Sequence, residues 1–234
     1  MRDRYERALI VGAGDGLSAS LARLLHGEAG MRIGLAARNV GKLATLVSQT
    51  GAAVAACDAS RPADVDALFE TMDAALGGPP DVVVYNASAR VRGPFVDLDR
   101  EAVAQTLAVS AYGGFLVAQA AAKRMLDVGR GAILFTGASA SVKGYAQSVP
   151  FAMGKFALRG LAQSLARELA PRGIHVGHVV IDGAIRSEAR SGVADPGDTQ
   201  LDPDAIARAY LGLLQQDRSA WTWEIELRPW VERF

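Results

Sequence analysis

The stretch Arg7–Ser20, RALIVGAGDGLSAS, contains the pattern on which the fold prediction depends. Its opening residues, RALIV, are mostly apolar, as is typical of a strand covered on both faces of a sheet. Gly12, Gly14 and Gly16 follow and open a helical pattern. A glycine turn at this point lets backbone N–H groups and a helix N-terminus approach a pyrophosphate, because no side chain stands in the way. An ordinary tight turn between a strand and a helix is the alternative interpretation.

Short runs of β-branched and aliphatic residues recur along the chain and alternate with segments of helical spacing. The predicted strands are 7–12, 31–37, 52–57, 81–86, 131–137, 174–181 and 221–227, and the predicted helices are about 16–29, 39–49, 62–76, 99–128, 151–170 and 203–216. This alternation predicts an α/β fold, in which a doubly wound parallel sheet of about seven strands has helices on both faces. We find no repeat or linker, so we expect a single domain over 1–234. The polar segment 187–200 is predicted to be a mobile loop on the substrate side.

Composition limits the classes of partner. The 234 residues are half apolar, enough for one substantial core, and 25 Lys and Arg balance 25 Asp and Glu. The chain therefore has no excess positive charge that would attract nucleic acid or an anionic membrane. We expect a small-molecule substrate or copies of the same chain as partners. A single cysteine, Cys57, allows no internal disulfide, and no signal-peptide pattern is present. These features favour a cytoplasmic setting, and no apolar run is long enough to cross a bilayer.

The end of the second strand bears on the choice of nucleotide. In dinucleotide-binding folds, a carboxylate near this point bonds the ribose hydroxyls of NAD, whereas an arginine accommodates the extra phosphate of NADP. Residues 36–37 are alanines and Arg38 follows, which favours NADP over NAD, although Arg38 could be a solvated charge. Asp15 in the glycine turn would offset part of the attraction of Arg38. Asp58, after the third strand, is a candidate for bonding the adenine or for capping the next turn.

Taken together, the glycine turn, YNAS at 85–88 and FAMGK at 151–155 resemble the short-chain dehydrogenase/reductase family over essentially the whole chain. The resemblance implies a Rossmann-type fold, a bound NAD(P) and hydride transfer. It also implies that Lys155 holds the nicotinamide ribose, and that Asn86 and Ala87 line the adenosine ribose. The segment 181–187 is similar to the one that meets the nicotinamide amide. The cofactor-binding candidates are Gly12, Gly14, Gly16, Leu17, Arg38, Asp58, Asn86, Ala87, Lys155, Gly183 and Ile185.

Several positions depart from the family pattern. The last glycine of the turn is Ser18, and Asp182 stands where the family has proline. The family's catalytic tyrosine, four residues before the lysine, is Phe151, and a phenyl ring has no O–H with which to act as an acid or base. The carbonyl-binding serine has two candidates.

These candidates are Ser139, which the resemblance favours, and Ser141, while Ala138 stands at the family's usual count. Ser110 takes the place of the asparagine that anchors a water in the proton relay. The catalytic set that the resemblance implies is therefore Ser139, Phe151 and Lys155.

Three functions are compatible with this site. The first is an oxidoreductase that transfers hydride between NADP(H) and a carbonyl or alcohol, with its proton from water, a substrate group or another residue such as Tyr145. The second is a weakly active or inactive dinucleotide-binding protein, acting as a sensor or an assembly subunit. The third is hydride transfer to an activated double bond. Family resemblance and small residues on the long helices also predict a homo-oligomer, a tetramer before a dimer. The spacing of the three histidines predicts no metal site.

Overall fold

The central sheet of the molecule has seven parallel strands, as the sequence predicts. The computed structural model describes residues 5–186 and 197–232. The strands in chain order are β1 (Arg7–Val11), β2 (Arg32–Ala37), β3 (Ala53–Ala56), β4 (Val82–Tyr85), β5 (Gly131–Thr136), β6 (Ile174–Ile181), β7 (Ala184–Ile185), β8 (Gln200–Leu201) and β9 (Glu224–Leu227). The sheet order is β3-β2-β1-β4-β5-β6-β9, and β7 pairs with β8 in a separate parallel ribbon. The doubly wound fold class is confirmed.

Seven helices surround the sheet in the described part of the chain. They are α1 (Leu17–Gly27), α2 (Ala44–Thr50), α3 (Pro62–Ala75), α4 (Arg100–Leu107), α5 (Gly113–Val128), α6 (Val149–Leu169) and α7 (Pro203–Leu214). The helix expected from residue 39 begins later, because a 3-10 turn over Gly41–Leu43 precedes α2. None of the helices in 5–186 and 197–232 is both long and apolar enough to cross a membrane.

Two apolar cores lie on opposite faces of the sheet. Successive side chains of a strand point to opposite faces, so one strand contributes to both cores. In β1, Ala8 and Ile10 join a core with residues of α1 and α7, whereas Leu9 and Val11 join a core with residues of α3, α5 and α6. The sheet is thus covered on both sides, which explains the continuous apolar runs of its central strands.

The predicted helix 99–128 is broken by a π-helical turn over Ala108–Tyr112, between α4 and α5. This turn frees backbone groups from the regular ladder, and the buried Tyr85 hydroxyl donates a hydrogen bond to the carbonyl of Val109. Gly113 is required beside it, because a Cβ there would lie 2.4 Å from the Tyr85 hydroxyl oxygen. A periodicity argument could not find this break, since the apolar spacing continues through it.

The strand order places the candidate site. From β1 the chain passes to β2 and β3 on one side, and then to β4, β5 and β6 on the other. In open parallel sheets, ligands bind at the carboxyl ends of the strands, where the strand order reverses. Here that point lies between the ends of β1 and β4. Of the predicted mobile loop 187–200, residues 187–196 lie outside the described residues, and the rest leads into β8.

Candidate active site

The glycine turn after β1 is closely packed against the end of β4. Gly12 has a φ of 88°, and an added Cβ would lie 2.3 Å from the backbone nitrogen of Ala87. Ser18, at the family's last glycine position, is 1% exposed, and its hydroxyl donates to the Gly12 carbonyl at 3.2 Å. Asn86 in turn donates its amide to the Ser18 hydroxyl at 2.7 Å. The serine therefore ties the glycine turn to Asn86, so this departure from the family pattern is stabilising.

The N-terminus of α1 is open to a ligand. Gly16 is the N-cap, no side chain caps the helix, and the first turn contains no acidic residue. An added Cβ at Gly16 would meet nothing within 4 Å, and one at Gly14 would lie 3.9 Å from Lys42 Nζ. The glycines here leave space that the protein itself does not fill. Space, unpaired N–H groups and the helix dipole together suit a phosphate group.

A cleft of about 330 Å³ extends from this turn across the ends of β1, β2 and β4. Five of the predicted cofactor residues line it, namely Gly12, Arg38, Asp58, Asn86 and Ala87. Its complete lining is Val11, Gly12, Ala13, Ala37, Arg38, Lys42, Cys57, Asp58, Ala59, Asn86, Ala87, Ser88 and Val109. The other six lie outside this lining: Gly14, Gly16 and Leu17 continue the glycine turn into α1, Lys155 lies on α6, and Gly183 and Ile185 follow β6.

Lys42 is a cleft residue that the sequence reasoning missed. It lies on the 3-10 turn before α2, exposed to solvent, and lines the cleft together with Arg38. Asp15, expected to offset the charge of Arg38, is exposed and is not part of the cleft lining. The only available signal was a second basic residue four positions after Arg38, which also fits a solvated helix start. Two cations therefore face this end of the cleft.

Asp58 has the capping role that the sequence left open, and it also lies in the cleft. One carboxylate oxygen accepts hydrogen bonds from the Ser60 hydroxyl at 2.7 Å and the Ser60 N–H at 3.1 Å, so Asp58 caps the turn before α3. The same residue lines the cleft. The Ser60 hydroxyl, with smaller contributions from the Ser60 backbone and the charge of Arg38, holds the pKa of Asp58 below its usual value. Asp58 therefore presents a carboxylate that can accept a hydrogen bond from a ligand.

Lys155 and Phe151 lie one turn apart on α6 and are both buried. The ammonium of Lys155 donates to the Thr136 carbonyl at 2.7 Å. Burial, together with the nearby charge of Arg90, lowers the pKa of Lys155 to about 8. Lys155 Nζ lies 5.8 Å from the centre of the Phe151 ring, and Arg90 Cζ lies 4.0 Å from the same centre. The Phe151 ring, which stands where the family has a phenol, therefore lies close to two cations but has no proton to donate.

The serines near this ring have different environments. Ser141 is fully buried, and its hydroxyl accepts a hydrogen bond from the Ala138 N–H at 3.1 Å, which fixes the turn after β5. Ser139, at the start of the same turn, is half-buried. Ser110 is fully buried in the π-helical turn and bonds both backbone groups of Ala89. The buried Ser141 hydroxyl already takes part in a structural hydrogen bond, so Ser139 is the better candidate for a ligand contact.

The segment after β6 is held by contacts that a proline could not make. Asp182 donates its backbone N–H to the Leu227 carbonyl at 2.8 Å, and proline has no N–H. Its carboxylate accepts from Lys143 Nζ at 3.2 Å. Gly183 has a φ of 156°, and an added Cβ would lie 2.9 Å from a Pro229 ring carbon. Asp182 therefore replaces the rigidity of proline with a hydrogen bond and an ion pair.

Tyr145, the phenol considered as a proton source, lies in the loop before α6. It is 44% exposed, and Lys143 Nζ lies 5.9 Å from the centre of its ring. The Asp182 carboxylate, and next the Tyr145 hydroxyl, raise the pKa of Lys143. Tyr145 therefore belongs to the group around Lys143, whereas Arg90 and Lys155 are the cations placed against the Phe151 ring.

A buried histidine lies near Lys155. His178 is fully buried, and its Nδ1–H donates to a Glu224 oxygen at 2.9 Å. Arg159 binds both oxygens of the same carboxylate at 2.6 and 2.7 Å. Burial lowers the pKa of His178 to about 4, so the ring is neutral near pH 7. Within 5–186 and 197–232, no three or more His, Cys, Asp or Glu side chains are grouped so that they could hold a metal ion.

Comparison with known proteins finds similar dehydrogenases over most of the chain. Residues 6–195 match the family model for short chain dehydrogenases. A D-threitol dehydrogenase of Mycolicibacterium smegmatis is 32% identical over 223 residues, covering 88% of this chain and 84% of that protein. A crystal structure of a short-chain dehydrogenase from Rhodopseudomonas palustris is 34% identical, with a TM-score of 0.83, and covers 97% of this chain and 100% of that one. A metagenomic short-chain oxidoreductase in complex with NADP is 28% identical, with a TM-score of 0.83 and coverage of 97% and 98%.

Proposed function

Because the chain belongs to the short-chain dehydrogenase/reductase family, we propose that it is an NADP(H)-dependent oxidoreductase acting on a carbonyl or alcohol substrate. The observation that carries this proposal is the cleft between the glycine turn, the two cations after β2 and the end of β4. The uncapped N-terminus of α1, where Gly16 leaves open space, follows the glycine turn, and Asp58 adds a carboxylate to the lining. Bound NADP(H) would supply or accept a hydride at its nicotinamide ring.

Each part of the cleft suits one part of the dinucleotide. The turn with Gly12, Gly14, Gly16 and Leu17 binds the pyrophosphate through backbone N–H groups. Asp58 accepts a hydrogen bond from the adenine. Asn86 and Ala87 line the adenosine ribose, as the family resemblance implies. Near α6, Lys155 holds the nicotinamide ribose, and Gly183 and Ile185 meet the nicotinamide amide.

The preference for NADP(H) over NAD(H) rests on Arg38 and Lys42. Both line the same cleft, and residues 36–37 offer no carboxylate to the ribose hydroxyls. Guanidinium and ammonium groups bind phosphate by charge-assisted hydrogen bonds, which are among the stronger polar contacts in proteins. The related metagenomic oxidoreductase in complex with NADP is consistent with this preference.

In the chemical half of the site, Lys155 and Ser139 keep their family roles in this proposal. Ser139 binds the substrate oxygen, and Lys155 orients the ribose from its anchor on Thr136. Phe151 neither donates nor accepts a proton. The proton of the reaction therefore comes from water, from the substrate itself or from another residue such as Tyr145. General acid catalysis commonly contributes about 10² to 10⁴ in rate, so we expect slow turnover.

A second candidate function is a dinucleotide-binding protein with weak or no catalysis, acting as a sensor or an assembly subunit. The buried Phe151 ring in place of the phenol favours it. The two functions differ in one measurement made on the same protein. NADPH consumption is followed with a panel of carbonyl compounds, and NADP⁺ reduction with alcohols that include D-threitol, while cofactor binding is titrated by calorimetry. Binding with turnover supports the oxidoreductase, and binding without turnover on any panel member supports the second candidate. No cofactor binding would refute both.

We also propose that the chain assembles into a homo-oligomer, a tetramer before a dimer. Five exposed apolar side chains lie on the π-helical turn and on α5 and α6, namely Tyr112, Phe115, Val128, Met153 and Phe156. Two of them, Tyr112 and Phe115, stack with ring centres 6.0 Å apart. Light scattering at micromolar concentration tests this, and a monomer would refute it.

A further inference from the structure

His178 is a buried histidine with one ring nitrogen that can still accept a hydrogen bond. Its Nδ1 bonds the Glu224 carboxylate at 2.9 Å, and Nε2 has no hydrogen-bond partner within residues 5–186 and 197–232. A carboxylate only accepts, so the proton of the neutral ring lies on Nδ1 and Nε2 presents a lone pair. A buried polar atom without a partner is uncommon in folded proteins and costs stability. The Nε2 atom of His178 therefore requires an explanation.

Two consecutive residues at the end of β5 connect His178 with Lys155. The first, Thr136, accepts the hydrogen bond of Lys155 Nζ through its carbonyl at 2.7 Å. The second, Gly137, lies against the imidazole, because an added Cβ there would be 2.4 Å from His178 Nε2 and 2.6 Å from Cε1. The charge of Lys155 also contributes, after burial, to the lowered pKa of His178. The ammonium and the imidazole are therefore placed at the same end of β5.

The Lys155 ammonium has more N–H groups than the fold uses. It carries three donors, and the bond to the Thr136 carbonyl is its one hydrogen bond in the described part of the chain. Burial, together with the charge of Arg90, lowers the pKa of Lys155 to about 8, because a single hydrogen bond compensates poorly for the loss of water around an ammonium. Lys155 thus has donors to spare, and His178 has a spare acceptor.

From this arrangement we propose that His178 is a positioning residue for Lys155, and that its Nε2 accepts a hydrogen bond from the ammonium, directly or through one water molecule. Glu224 holds the imidazole in the tautomer and direction that this bond requires. Arg159 holds Glu224 in turn, with bonds of 2.6 and 2.7 Å to its two oxygens. The inference rests on the proposed function in one respect, the role of Lys155 in binding the ribose. His178 fixes the ammonium for that contact and keeps its own proton.

Nitrogen-15 NMR of the histidine rings tests the contact in the protein without cofactor. The chain has three histidines, so single substitutions suffice to assign their signals. We expect His178 Nε2 to resonate as an unprotonated nitrogen that accepts a hydrogen bond, and Lys155→Met to move its shift toward that of an unbonded nitrogen. Lys123→Met is the control, since it removes an exposed lysine of α5 and should change nothing.

Two variants of His178 separate its two nitrogens. His178→Asn keeps an amide near the position of Nδ1 and lacks a group at Nε2, whereas the longer His178→Gln places its amide near Nε2. The matched control is His175→Asn, because His175 is also buried on β6 but points to the opposite face of the sheet. Carbon-13 titration of the lysine side chains should show the pKa of Lys155 about one unit lower in His178→Asn, less changed in His178→Gln and unchanged in the control.

Calorimetry tests the consequence for cofactor binding. His178→Asn should weaken NADPH binding roughly three- to tenfold in the wild-type background and leave it unchanged in a Lys155→Met background, because it acts through the ammonium. A general structural defect would weaken binding equally in both backgrounds.

Three results would each overturn the inference: an unaltered His178 Nε2 shift in Lys155→Met, an unaltered pKa of Lys155 in folded His178→Asn, and equal losses of affinity in the two backgrounds. Thermal melting shows whether each variant is folded. If His178→Asn does not fold, the comparison of the wild type with Lys155→Met decides. A wild type that fails to bind NADPH would refute the proposed function, and the NMR measurements would still decide the contact between His178 and Lys155.

Discussion

Replacing Phe151 with tyrosine would supply the phenol that this site lacks. The new phenol would lie near Lys155, whose ammonium is 5.8 Å from the ring centre. With that distance as the charge separation and an effective dielectric constant of about 20, the attraction for a phenolate is about 3 kcal/mol. An attraction of this size lowers the pKa of the phenol from about 10 to about 8, near the range in which an acid works best at neutral pH. We therefore expect Phe151→Tyr to increase carbonyl reduction by about 10²-fold, the lower end of the usual range for a positioned acid.

The assay is steady-state NADPH consumption with the same carbonyl panel, carried out on the wild type, Phe151→Tyr and Phe151→Leu. The leucine variant controls for a change of shape, since it alters the side chain without adding a hydroxyl. The double variant Phe151→Tyr, Lys155→Met tests the electrostatic part, because the phenol then lacks its buried cation and should lose much of the gain.

The reasoning would be refuted if the wild type is already fast on a substrate and Phe151→Tyr is no faster. It would also be refuted if Phe151→Tyr binds NADPH normally and gains no rate on any substrate that the wild type turns over slowly. The proton source would then lie elsewhere, and Tyr145→Phe would be the next variant to measure.

Arg38→Ala should weaken NADPH binding roughly tenfold and NADH binding much less, because it removes a charge-assisted contact to the extra phosphate; equal losses in calorimetry would contradict the proposed cofactor preference. Gly12→Ala should lower the melting temperature by roughly 4–12 °C, the equivalent of about 2–3 kcal/mol of backbone strain and close contact. Gly16→Ala should leave the melting temperature unchanged, because the added Cβ meets only open space, but it should weaken NADPH binding. Lys155→Met should weaken NADPH binding about tenfold even in a protein without turnover, and unchanged affinity would refute its contact with the ribose. The free energy of unfolding should fall by on the order of 3 kcal/mol as the pH drops from about 6.5 to 4, because the pKa of His178 is about 4 when folded and near 6.5 when unfolded. His178→Gln should flatten this part of a denaturation series, and an unaltered slope would argue against it.

The order of the elements could be predicted from the sequence because each central strand is buried on both faces and therefore apolar throughout. The seven strands of the main sheet were identified within about three residues of their observed ends. The π-helical turn at Ala108–Tyr112 could not be predicted, because it depends on a hydroxyl from Tyr85, 24 residues earlier in the chain. The two-residue strands β7 and β8 likewise depend on a contact between distant segments, and such short runs carry no periodic signal.

The residues of the candidate site could be predicted where the backbone determines their position. They were harder to predict where a long side chain determines what the residue contacts. Gly12, Asn86 and Ala87 were found because the turn and the strand end that form the cleft have a fixed order in sequence. Lys42 and Arg90 were missed as individual residues, since flexible basic side chains in loops are usually solvated and only the folded structure shows what they face. Arg90 contacts the Phe151 ring, 61 positions later in the chain, and no local pattern encodes such a contact.

The two hydrogen bonds between Ser110 and Ala89 have a consequence for the kinetics of ligand association. A backbone segment that is fixed before a ligand arrives loses little conformational entropy on binding, and no loop closure at Ala89 slows the encounter. Among ligands that contact this side of the site, association rate constants should therefore lie close together. Differences in their affinities should therefore arise from their dissociation rates. The ligand that is preferred on this side of the site would be the one with the longest residence time.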